Sequence, residues 1–130
     1  MKNIFSSFFI FVVLLSCHKH DDDGTSYIVD IQIIRPTQGQ TSPKNTALPI
    51  AVIITREHDQ IIHNLKVEVI NTTTNKTETV EEKHYHVNGT LNYSTNNYIP
   101  NSSGSYTLRI TSTNDDKLEP NTKEVNFTIN

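Results

Sequence analysis

The stretch Gly104-Ser105-Tyr106-Thr107-Leu108-Arg109-Ile110 decides the fold class of this chain. Its large apolar residues occupy every second position, with Thr107 and Arg109 between them. A period of two places successive side chains on opposite faces of an extended chain. The stretch therefore predicts a β-strand with one face in a core and the other in water. The polar run 96–105 before it predicts a loop.

The same alternation recurs along the chain, and no helical period is found after residue 26. Six further strands are predicted, near residues 29–33, 48–54, 65–69, 78–87, 91–93 and 125–129. Turn-forming residues separate them, and Asn88-Gly89 predicts a tight turn. Seven short strands in about 100 residues are typical of an all-β immunoglobulin- or fibronectin-III-like sandwich. We expect one such domain over residues 27–130.

Residues 104–110 also resemble the penultimate strand of such domains. There, a tyrosine near the start of the strand bonds back to the chain a few residues upstream. Tyr106 matches that position, so the resemblance implies that it forms a tyrosine corner. The alternative is a core tyrosine in another β fold. The chain has no Trp and a single Cys, which excludes antibody-type domains with their Cys pair and Trp.

Composition narrows the function classes. The chain has 11 basic and 14 acidic residues, and its formal net charge is −3. Nucleic-acid-binding domains present a basic face to phosphates, so this balance argues against a nucleic-acid partner. The sequence has no Gly-rich phosphate loop, no nucleophile elbow and no cysteine besides Cys17. We therefore expect no enzymatic activity.

The first 16 residues are predicted to be a cleaved lipoprotein signal peptide. Lys2 precedes Ile4–Leu15, an apolar run too short to span a bilayer and of the usual length for a signal peptide. The run ends in Leu14-Leu15-Ser16-Cys17, which resembles the bacterial lipobox. That resemblance implies cleavage before Cys17 and lipid attachment to its thiol. The alternative is an ordinary secretory signal with an incidental cysteine.

Residues 17–26 are predicted to be a lipidated cysteine and a flexible acidic tether. The run His18-Lys19-His20-Asp21-Asp22-Asp23-Gly24 is charged and ends in glycine, so it cannot pack into a core. It resembles the export signal of Bacteroidota surface lipoproteins. This implies the outer membrane, with the domain facing the cell exterior. The alternative is a plain spacer on the periplasmic face.

Four histidines in the folded part are the candidate chemistry. His58 and His63 fall in the predicted loop between the second and third strands, and His84 and His86 fall late in the fourth. If the third and fourth strands form a hairpin, position 86 lies opposite 63 and position 84 opposite 65. His63 then meets the other two at one end of the hairpin, and His58 can join them from the loop.

Imidazoles within such reach bind Zn²⁺, Cu²⁺ or Ni²⁺. Glu57, Asp59 and Glu82 are candidates for an additional oxygen ligand or for a hydrogen bond to a ligating histidine. The alternative is a set of surface histidines. A one-residue slip in register turns a side chain to the other face, and Tyr85 facing the core places His84 and His86 in solvent.

From Tyr27 onward the chain also resembles small immunoglobulin-like surface lipoproteins of Bacteroidota. In these, a His-bearing loop after the second strand and a later His-x-His accompany a strand like residues 106–110. The matching positions here are His58, His63, His84 and His86. No activity is established for that group, so the resemblance implies the fold and the anchor rather than a reaction.

Two functions remain open from the sequence. The first is a lipid-anchored, surface-exposed, non-catalytic binding module that holds Zn or Cu through its histidines. The second is a structural or adhesive module that binds a protein or a glycan, with incidental histidines. In both cases we expect a monomer that contacts the membrane only through its lipid.

Overall fold

The computed structural model describes residues 27–57, 60–114 and 119–130. These residues form eight strands and two sheets: β1 (Asp30–Arg35), β2 (Thr41–Ser42), β3 (Ile50–Thr55), β4 (Ile61–Asn71), β5 (Lys76–Asn88), β6 (Thr90–Thr95), β7 (Gly104–Thr113) and β8 (Asn121–Ile129). Seven of them lie where the alternating pattern predicts strands. The additional strand, β2, has two residues, too few for a period of two to be read from the sequence.

The strand order identifies the architecture. One sheet has the order β1-β3-β6, and the other has the order β2-β8-β7-β4-β5. Neighbouring strands are antiparallel except for β2, which pairs parallel to β8. This is the arrangement of an immunoglobulin- or fibronectin-III-like sandwich, in which the first, third and sixth strands face the remaining ones. The predicted fold class is confirmed.

The core lies between the two sheets because each strand turns alternate side chains inward. In β3, Ile50, Val52 and Ile54 are buried, and in β7, Leu108 and Ile110 are completely buried.

Within the three described ranges, no helix is long and apolar enough to cross a membrane. The predicted signal peptide 1–16 and tether 17–26, with Cys17, lie outside the described residues.

The Asn88-Gly89 pair joins the two sheets rather than closing a hairpin. The strands that it connects, β5 and β6, belong to different sheets. Gly89 has a positive φ of 72°, a conformation that glycine adopts without steric cost. Its amide donates to the carbonyl of Gln60, and its carbonyl accepts from the amide of Arg56. These two bonds fix the end of β5 close to the start of β4.

Tyr106 lies at the third position of β7, where a tyrosine corner forms in such folds. Its hydroxyl donates to the Ser102 carbonyl at 2.7 Å, four residues upstream. The ring is buried and stacks on Phe127 at a centroid distance of 5.5 Å. The hydroxyl therefore ties the loop before β7 to the strand itself.

Candidate metal centre

Three histidines cluster at one end of the β4–β5 hairpin. One ring nitrogen from each of His63, His84 and His86 lies within 4.8 Å of the others. The ring centroids are 4.8 Å apart for His63 and His86, 5.1 Å for His84 and His86, and 5.7 Å for His63 and His84. His84 and His86 are exposed, and His63 is half-buried. Among the described residues, these three side chains form the one group of three or more His, Cys, Asp or Glu residues whose ligand atoms are close enough to hold a metal ion.

The prediction that His63 lies in a loop is wrong. Strand β4 begins at Ile61, so His63 is a strand residue. The amide–carbonyl bonds through Gly89 extend the hairpin to this point, and long-range pairing of this kind leaves no local signal in the sequence.

The predicted register is correct at the end of the hairpin and wrong within it. Ile61 lies opposite Asn88, and Ile62 lies opposite Val87, as the predicted pairing requires. The register then shifts, and His84 lies opposite Asn64 instead of Leu65. The shift is a β-bulge in which β5 has one more residue than β4.

The register shift also changes which side chains of β4 point into the core. Ile62 and Leu65 are both buried, although an unbroken strand would turn them to opposite faces. Both residues between them, His63 and Asn64, are therefore half-buried beside the outer face of the sheet. The bulge places His63 against His84 and His86 on that side, because Tyr85 and Val87 pack against the core and leave the two histidines exposed.

Asn64 orients the ring of His84. The Nδ1–H of His84 donates to the side-chain Oδ1 of Asn64 at 2.9 Å. This bond keeps the proton on Nδ1 and leaves the lone pair of Nε2 for a ligand. Ligating histidines in metalloproteins commonly make such a bond with their second nitrogen. Sequence reasoning did not find Asn64, because only the shifted register brings it opposite His84.

The His84–His86 pair is close to the spacing of two metal ligands. Nε2 of His84 lies 3.0 Å from Nδ1 of His86, and with the proton of His84 on Nδ1 the hydrogen bond between them takes its proton from His86. Two nitrogens on a tetrahedral Zn²⁺ at 2.0–2.1 Å are about 3.3 Å apart. A metal ion can therefore replace the proton between these two nitrogens if their separation increases by about 0.3 Å. The third ligand, from His63, lies within 4.8 Å of the other two, so it requires a further approach of at most about 1.5 Å.

Of the three carboxylates predicted to assist the histidines, the two that the structure describes are not part of the cluster. Glu57 and Glu82 are exposed, and neither belongs to the group within 4.8 Å. Glu82 lies opposite Lys66 on β4, two residue pairs further along the hairpin than His84. His58 and Asp59 lie outside the described residues.

Two basic side chains on the outer face of the sheet near the site form ion pairs. Lys66 forms an ion pair with Glu68 at 2.9 Å, and the hydrogen bond and charge of Glu68 raise the pKa of Lys66. Farther along the same face, Arg109 pairs with Glu124 at 2.6 Å. The ammonium of Lys83 lies 5.1 Å from the ring centroid of Tyr85. A cation that approaches the histidines therefore meets Lys66 and Arg109 as members of ion pairs, and Lys83 as a charge over an aromatic ring.

No protein-family profile and no curated protein matches this chain. Among solved structures, the chain is similar to the fibronectin(III)-like modules of Clostridium thermocellum CbhA, with 13% identity and a TM-score of 0.49 over 77% of this chain and 94% of that one. It is also similar to a family 123 glycoside hydrolase from Clostridium perfringens, with 13% identity and a TM-score of 0.46. That match covers 79% of this chain and 27% of the hydrolase. The fold assignment rests on the strand order above.

Proposed function

We propose that this protein is a lipid-anchored, non-catalytic β-sandwich module that binds a divalent transition metal through His63, His84 and His86. The observation that carries the proposal is the convergence of three imidazoles, with ring nitrogens within 4.8 Å, on one end of a rigid hairpin. Imidazole ligands favour Zn²⁺ and Cu²⁺ over Mg²⁺ or Ca²⁺, which prefer oxygen ligands.

The exposure of the site supports capture rather than permanent structural binding. Structural zinc sites are closed by four protein ligands, whereas three leave a coordination position open. Two of the three histidines here are exposed, so an ion can enter and leave without unfolding of the domain. The lipid anchor at Cys17 would hold this site at the outer membrane, facing the cell exterior, where it would collect or buffer the metal.

A zinc titration of the full chain in detergent, purified without a His tag, tests the proposal. We expect one zinc ion per chain and a rise in the melting temperature with zinc, because a ligand that binds only the folded state stabilises it by RT ln(1 + [L]/Kd). The double variant His84→Ala/His86→Ala should lose both effects. Mg²⁺ should produce neither of them.

The background in this experiment comes from His18 and His20, which every variant retains. A matched control is Thr111→Ala/Thr113→Ala, which shortens two outer-face side chains of the neighbouring strand β7 and leaves all histidines in place. A rise in melting temperature with zinc that survives the loss of His84 and His86 contradicts the proposal. A structural or adhesive module for a protein or glycan partner would then be the better description.

A further inference from the structure

A buried tyrosine lies directly beneath the metal site. Tyr27 is the first residue that the structure describes, and only 3% of its surface is exposed. Its hydroxyl lies 2.8 Å from Oγ of Ser112, a residue of β7 that is completely buried. A buried hydroxyl needs such a partner, because an unpaired polar group in a core costs about 1–3 kcal/mol.

The same hydroxyl reaches the backbone of His63. The amide of His63 donates to the Tyr27 hydroxyl at 3.4 Å. This contact lies at the irregularity of β4: the register with β5 shifts across His63, and the register with β7 begins at Asn64. Tyr27 therefore supports the strand where the regular ladder changes and where His63 turns toward the other two histidines.

Tyr27 is itself held from several sides. The guanidinium of Arg56 lies 4.5 Å from its ring centroid, and Nη1 of Arg56 donates to the carbonyl of Ile61 at 2.8 Å. Nδ2 of Asn121 donates to the carbonyl of Tyr27 at 2.5 Å. These contacts join the beginning of the domain to β4, at both Ile61 and His63, and to β8.

We infer that Tyr27 is a positioning residue for the metal site: its hydroxyl holds the backbone of His63 in the conformation that lets the three imidazoles share one ion. This inference rests on the proposed function. Coupling of this kind is reciprocal. If docking of Tyr27 raises metal affinity, bound metal strengthens the docking of residues 27–29 by the same factor.

The test compares Tyr27→Phe with Tyr98→Phe in the full chain in detergent. Both substitutions remove one hydroxyl from a buried tyrosine, and Tyr98 lies in the loop between β6 and β7, where its carbonyl accepts from the amide of Leu48. We expect Tyr27→Phe to weaken zinc binding by about threefold to tenfold. It should also change the visible spectrum of bound Co²⁺, which reports the ligand geometry. Tyr98→Phe should change neither.

The reciprocal effect is measured by hydrogen exchange. The amide of Val29 bonds to Oδ1 of Asn121 in the segment that Tyr27 anchors. Zinc should slow its exchange in the wild-type chain and have a smaller effect in Tyr27→Phe. Should Tyr27→Phe fail to fold, Ser112→Ala removes the partner of the hydroxyl and keeps the ring, and it should weaken zinc binding in the same direction.

The two proposals fail in different ways. If the wild-type chain binds no zinc, the proposed function is overturned, and this inference with it. If the wild-type chain binds zinc and Tyr27→Phe binds it with the same affinity and the same Co²⁺ spectrum, only the role of Tyr27 is overturned. Equal weakening by Tyr27→Phe and Tyr98→Phe also overturns it, because a general loss of stability would then explain the effect.

Discussion

The hydrogen bond between Asn64 and His84 allows metal binding through His84 to be tested by substitution of Asn64. In Asn64→Leu, a side chain of similar size replaces the amide, and the acceptor 2.9 Å from Nδ1 of His84 is lost. In Asn64→Asp, a carboxylate oxygen takes its place. The two variants leave all three histidines unchanged and alter the partner of one ring nitrogen.

The expected magnitudes follow from the exposure of His84. Loss of such a partner typically reduces metal affinity by 10- to 100-fold, about 1.4–2.8 kcal/mol. Because His84 is exposed, water can replace Asn64 as the acceptor, and we expect about a tenfold loss for Asn64→Leu. A charged acceptor bonds more strongly than an amide by about 1 kcal/mol, so Asn64→Asp should bind zinc about fivefold more tightly.

The measurement is a competition titration of zinc against a chromophoric chelator, with the melting temperature of each apo variant recorded in parallel. Thr113→Val is the matched control. Thr113 lies opposite Asn64 on β7, and β4 separates it from His84 on β5, so its substitution changes the same row of the sheet and leaves Asn64 and the histidines in place. Its zinc affinity should equal that of the wild type.

Equal zinc affinities for Asn64→Leu, Asn64→Asp and the wild type would refute the reasoning. Such a result means that Nε2 of His84 does not ligate the metal in the tautomer that Asn64 selects. A fall in affinity for both variants, together with lower melting temperatures, would instead assign Asn64 a purely structural role.

Three further predictions concern the fold and the anchor. Tyr106→Phe removes the bond to the Ser102 carbonyl and should lower the free energy of unfolding by about 1 kcal/mol in urea; an unchanged urea midpoint would argue against the corner. Burial raises the pKa of Tyr93 to about 12, above the roughly 10 of an unfolded tyrosine, so its contribution is complete below about pH 10 and is lost as the pH rises toward 12. The free energy of unfolding should therefore fall less steeply above about pH 10 in Tyr93→Phe than in the wild type, as followed by circular dichroism. An equal dependence on pH in the two proteins would contradict this. Cys17→Ser should abolish incorporation of labelled fatty acid, and protease treatment of intact cells should remove the wild-type protein; a protein that stays intact would place the domain inside the envelope.

The fold was largely predictable because burial in a sandwich leaves a period of two in each strand. Residues 65–69 and 106–110 show that period in the sequence and are buried accordingly in β4 and β7. Strand β2 was not predictable, because its two residues pair with β8, far away in the chain. Asn88-Gly89 has the composition of a tight turn, and only the packing of two sheets decides that it crosses between them.

The sequence by itself determined which side chains could form a metal site and that no second cysteine could take part, since Cys17 is the only one. The tertiary structure decided which of them meet. A bulge opposite His63 shifts the register by one residue, and a one-residue shift changes the partner of every side chain beyond it. That shift brings Asn64 to His84 and leaves Glu82 beside Lys66. Bulges depend on contacts between residues that are distant in the sequence, such as the one from Tyr27 to His63, and a local pattern does not encode them.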